Sequence, residues 1–94
     1  MSFNKISGMF VICAGGFDLG EINGLELNTT SWKVTHLHVK LSKAASEDLG
    51  FKKRFRSSTV CVPISLVSQF GDNVLLNKNL EELTKNPEIS ACLV

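Results

Sequence analysis

Long apolar runs are missing from this chain. The longest, Met9 to Ala14, is strand-sized and well short of the ~20 residues a helix needs to cross a bilayer, so membrane insertion is not expected. Proline is scarce, with two in 94 residues, and 44% of the chain is hydrophobic against 20% charged. That composition excludes the disordered class and predicts a folded domain. Charge of one sign is lacking too. Ten Lys and Arg against nine Asp and Glu leave a net charge of +1, which gives no global field to draw in nucleic acid or an anionic membrane. Any charged partner must then be met by a local patch. Cysteine pairing signals are absent: Cys13, Cys61 and Cys92 are odd in number, widely spaced, without a C-x-x-C pair and without a secretory signal ahead of them. The pattern reads as a reducing, cytoplasmic compartment.

A chain of this length fits one domain and one core, read here as residues 1–86 with an apolar C-terminal tail, 87–94. A domain this small buries only roughly 60% of its unfolded surface, so self-association is a natural source of further burial. The run Met9 to Cys13 predicts a strand, and Ala14-Gly15-Gly16 a tight turn that uses glycine's freedom to take positive φ. Glu21 to Leu27 predicts a second strand, bulged at Gly24, and Asn28 to Ser31 a loop. Trp32 to Leu41 is the longest strand candidate. Its alternation places Thr35, Leu37, Val39 and Leu41 on one face and Trp32, Val34, His36, His38 and Lys40 on the other. The first face reads as core, with Leu37, Val39 and Leu41 inward, and the second as a surface that meets a partner.

A short helix is expected from Lys43 to Leu49, with Ser42 as its cap and Gly50 as its stop. Phe51 to Ser58 reads as a basic loop and Thr59 to Val62 as a strand ended by Pro63. Ile64 to Phe70 reads as a helical turn, Gly71 to Asn73 as a turn, and Val74 to Leu76 as a strand. Asn77 is the expected cap of a helix through Leu83 in which Leu80 and Leu83 share a face. Short strands at close spacing, joined by turns and one or two brief helices, predict a mainly β fold, a small antiparallel barrel.

Several of these segments carry a family resemblance. Leu19-Gly20-Glu21-Ile22, Leu25-Glu26-Leu27, Trp32 to Leu37, Phe55 to Pro63, Gly71 to Val74 and Leu80 to Leu83 together resemble the stand-alone archaeal PRC-barrel proteins, over nearly all of Met9 to Leu83. Asn23-Gly24 departs from the charged pair more usual there. The resemblance implies a PRC-type barrel that binds and does not catalyse. Similar single-domain members dimerise and connect FtsZ-based cell division to the membrane anchor SepF or to a second PRC-barrel protein. It therefore implies a homodimeric cytoplasmic adaptor acting at the division site. The alternative it implies is a role like that of the RimM barrel, in RNA processing or ribosome maturation, binding RNA or a ribosomal protein.

Trp32, Val34, His36 and His38 are the expected dimer or partner face. Lys52, Lys53, Arg54 and Arg56, interleaved with Phe51 and Phe55, form the only dense charge cluster; they suit a solvated loop or a contact to an acidic protein, or RNA through phosphates and base stacking. Arg56 is also a candidate partner for Asp72. His36 and His38, two apart on a strand, offer two imidazoles to one side, but Cys13 or Cys61 would have to complete the set, and no metal or other cofactor is assigned. Both cysteines read as small hydrophobes in apolar strands. Gly15 to Gly20 superficially resembles a phosphate loop but lacks its lysine and following helix, and is read as a turn. No nucleophile and base stand together in the sequence, so an enzyme is not expected. The tail from Ile89 to Val94 is expected either to dock on its own barrel or to add a strand to a partner.

Overall fold

The computed structural model describes residues 8–47 and 59–91. Among the described residues there are seven strands, β1 (Phe10–Ile12), β2 (Asp18–Asn28), β3 (Lys33–Leu41), β4 (Thr59–Pro63), β5 (Val67–Phe70), β6 (Val74–Leu76) and β7 (Ser90–Ala91), and two short helices, α1 (Lys43–Glu47) and α2 (Leu80–Lys85). They form one sheet in the order β5-β6-β1-β2-β3-β4-β7. The fold is mainly β, as expected. Two features of the expected barrel are corrected. Among the described residues the sheet keeps two edges, β5 and β7, and does not close by strand pairing. And β1 runs parallel to β6, Val11 opposite Val74, in a sheet whose other pairs are antiparallel. A parallel pair needs a long crossover, here the whole chain between Ile12 and Val74, and no local signal marks it.

The core forms where alternation turns apolar residues inward from both halves of the sheet. Among the described residues, Val11, Leu19, Ile22, Leu37, Val39, Val60, Val62, Val74 and Leu83 are the largest side chains fully withdrawn from solvent. Leu37 faces Val62, and Val39 faces Val60, across the β3–β4 ladder. Such directly opposed apolar pairs are the unit of sheet stabilisation. The expected bulge is present: the β2–β3 register shifts between Ile22 and Gly24, leaving Asn23 as the extra residue. The turn after β1 places Gly15 and Gly16 at φ 93° and 91° and is closed by Gly16 N–H donating to Cys13 O at 3.0 Å. A strand follows it, as a turn requires and a phosphate loop does not.

Ser42 caps α1. Its Oγ accepts from Ala45 N–H at 3.1 Å and donates to Asp18 O at 2.8 Å, fastening the helix start to β2. The stop expected at Gly50 lies outside the described residues. Two other local expectations are corrected. Of Ile64 to Phe70, only Ile64–Leu66 is a 3-10 turn and Val67–Phe70 is strand β5. The cap of α2 is Asn79, two residues beyond the expected Asn77. Asn79 Oδ1 accepts from Glu82 N–H at 2.8 Å while Glu82 Oε1 accepts from Asn79 N–H at 3.1 Å, a reciprocal capping box. Asn77 instead donates its backbone N–H to Leu66 O at 2.8 Å, joining β6 to the 3-10 turn. Asn79→Ala should therefore lower stability by about 1 kcal/mol and Asn77→Ala by less than half of that, read by urea unfolding. The reverse order would put the cap back at Asn77.

The tail meets its own sheet. Ile89 is buried in the core, and β7 extends the β4 edge with Ser90 opposite Cys61 and Ala91 opposite Val60.

Candidate functional site

Two surfaces emerge from the β2–β3–β4 region. The first is the hairpin between β2 and β3. Asn28 Oδ1 accepts from the backbone N–H groups of Thr30 at 2.8 Å and Ser31 at 3.1 Å, folding the chain back on itself. Trp32 N–H then donates to Asn28 O at 2.7 Å. Trp32 thus belongs to the turn and not to β3, which begins at Lys33. Its φ is 58°, the single positive value among described non-glycine residues, and it is 74% exposed. An L-residue in this left-handed region costs roughly 1–2 kcal/mol, and a bulky aromatic gains nothing there when it faces water. Leu27, at the end of β2, is 46% exposed. It stands opposite Val34 in the ladder. Val34 itself is half-buried and packs against the core cluster. The expected face of four is therefore divided: Trp32 projects at the turn, Val34 packs inward, and His36 and His38 lie further along β3.

The second surface is the side of the sheet away from the core. Residues opposite one another in a ladder share a face, so Glu26 meets His36, and His38 meets Cys61. His36 Nδ1 lies 3.4 Å from Glu26 Oε2 and 3.0 Å from Thr35 Oγ1. The Thr35 hydroxyl donates to Glu26 O at 3.2 Å, so it accepts from His36, which assigns the proton to Nδ1 of that ring. His38 rests against β2 because Gly24 has no side chain: a Cβ there would stand 3.0 Å from His38 Nδ1 and 3.3 Å from His38 Cβ. Glu26, His38 and Cys61 each present a ligand atom within 4.8 Å of the others. Sequence spacing pointed to His36 as the second ligand. The ladder selects Glu26 instead and turns His36 toward the carboxylate.

Of the two cysteines read as small hydrophobes, one keeps that character and one does not. Cys13 is as expected, a free thiol within the core, and burial, with Asp18 adding a smaller electrostatic push, raises its pKa from 9.0 to about 12. It stays protonated and unreactive at neutral pH. Cys61 is buried as expected and corrected in its state. Its neighbours Val60 and Val62 take the core side, so Cys61 points the other way, with 8% exposure, and its sulfur is disulfide-bonded. A disulfide is not what the expected reducing compartment predicts.

Lys52, Lys53, Arg54 and Arg56, and with them the proposed Arg56–Asp72 pair, lie outside the described residues. An open groove of about 550 Å³ between α2 and the tail is lined by Leu66, Lys78, Glu82, Lys85, Asn86, Pro87 and Glu88. Its ion pair, Lys78 to Glu82 at 3.9 Å, is solvent-exposed and worth at most ~1 kcal/mol. Among the described residues no helix is long and apolar enough to cross a membrane. No protein-family model matches the chain, and no curated protein sequence matches it.

Proposed function

We propose that this chain is a non-catalytic protein-interaction module that associates with a second copy of itself through the β2–β3 hairpin. The observation that carries the reading is Trp32, a large aromatic held in a costly backbone conformation and left exposed in a hairpin that also exposes Leu27 near the end of β2. Strain of this kind persists where a contact repays it, and Trp is among the residue types enriched as anchors of protein interfaces. The finer reading, a PRC-barrel adaptor serving FtsZ-based archaeal cell division at the division site through a SepF-like protein or a second PRC-barrel protein, rests on the motif resemblance alone.

The test is light scattering with size-exclusion chromatography across concentration. Trp32→Gly keeps the positive φ available, so this variant should remain folded and gain up to ~1 kcal/mol in urea unfolding. Combined with Leu27→Asp, it should convert a wild-type dimer to monomer. A wild type that stays monomeric at every concentration sinks the self-association reading. Titration of a SepF-like protein against the wild type tests the division reading separately, with no binding as the outcome against it.

A further inference from the structure

We propose that Glu26, His38 and Cys61 form a redox-gated binding site for a borderline-soft divalent cation of the zinc class. The residues come from three neighbouring strands and converge on one face by register: His38 stands directly opposite Cys61, and Glu26 reaches in from β2 beside Gly24. Their ligand atoms lie within 4.8 Å of one another. In a tetrahedral zinc site with bonds of 2.0–2.3 Å, such atoms stand ~3.3–3.8 Å apart, so closure needs a side-chain adjustment of about 1 Å. A thiolate, an imidazole and a carboxylate select zinc or cobalt over calcium or magnesium, and the three leave a fourth position open to water. His36, whose Nδ1 lies 3.4 Å from Glu26 Oε2 and is itself fixed by the Thr35 hydroxyl, flanks the carboxylate in the manner of the partners that position metal ligands.

The disulfide supplies the gate. While the Cys61 sulfur is bonded to another sulfur it has no thiolate to offer. A dithiol reductant delivers two electrons to that S–S bond and becomes a disulfide itself, and each released protein sulfur takes up one proton. Cys61 then gives its proton to water as it binds the cation. Oxidation reverses the sequence and expels the metal. The half-buried setting restricts access without sealing the site: Cys61 is buried, His38 intermediate and Glu26 exposed.

The experiment titrates Co²⁺ into the full chain, oxidised or reduced with a phosphine, and follows the thiolate-to-cobalt charge-transfer absorbance, with Zn²⁺ displacing the signal. The reduced protein should bind one equivalent and the oxidised protein none. Cys61→Ser should abolish the band, Cys13→Ser should leave it intact, and His38→Ala and Glu26→Gln should each weaken binding at least ~10-fold, since losing even an orienting partner costs that much. Far-ultraviolet circular dichroism monitors the fold throughout. Equal binding in both redox states, a band that survives Cys61→Ser or His38→Ala, or loss of the fold on reduction with no metal uptake would each overturn the proposal.

Discussion

Gly20→Ala is expected to remove ~3 kcal/mol or more of stability, enough to unfold much of the population of a domain whose total is of order 5–10 kcal/mol. Gly20 lies in β2 at φ +154°, buried, with Leu41 as its cross-strand partner. A Cβ at this position would land on the Lys40 carbonyl oxygen, 2.8 Å from the Lys40 carbonyl carbon and 3.0 Å from Leu41 Cα. All three are backbone atoms of β3. No side chain can swing aside, so the β2–β3 pairing itself has to open. Gly71→Ala is the matched control: its nearest neighbour, Asn73 O, is 4.0 Å away, and the change should stay within ~0.5 kcal/mol. Urea unfolding followed by circular dichroism reads both. Equal effects at the two sites would refute the close approach of β2 and β3.

Leu37→Ala should cost ~3 kcal/mol, within the range for truncating a fully buried leucine. Leu37 is 1% exposed and is held between Leu25 on β2 and Val62 on β4, at the centre of the sheet. Its truncation leaves a cavity with strands on both sides, and neither strand can collapse into it without disturbing its own ladder. His36→Ala, one residue away on the opposite face, should cost under ~1 kcal/mol, because it loses only a partly exposed contact to the Glu26 carboxylate and a hydrogen bond. A small effect at Leu37 with a large one at His36 would mean that the two faces of β3 have been exchanged.

The candidate metal site shows how far periodicity reaches. His36 and His38 were legible as a same-side pair because a strand alternates every two residues. That Glu26 and Cys61 join them was not, since they lie on other strands and the bulge around Asn23 resets the register that aligns Glu26 with His36. Cys61 read as a small hydrophobe because Val60-Cys61-Val62 is a continuous apolar run, and such a run does not declare which members turn inward. Trp32 looked like the start of β3. The Asn28 side chain, by capturing the Thr30 and Ser31 amides, keeps it in the turn.

What the sequence determined by itself is local: the β1 strand and its diglycine turn, the Gly24 bulge, the Ser42 cap, the end of β4 at Pro63 and the turn from Gly71 to Asn73. Each is a conformational preference or hydrogen bond spanning a few residues, and so is written in neighbouring letters. The tertiary structure decided the rest: the parallel pairing of β1 with β6, the strand character of Val67–Phe70, the seating of β7 on the β4 edge, and the meeting of Glu26, His38 and Cys61. Those outcomes depend on which distant strands share a ladder. That choice is made by burying the core as a whole, and no short segment contains it.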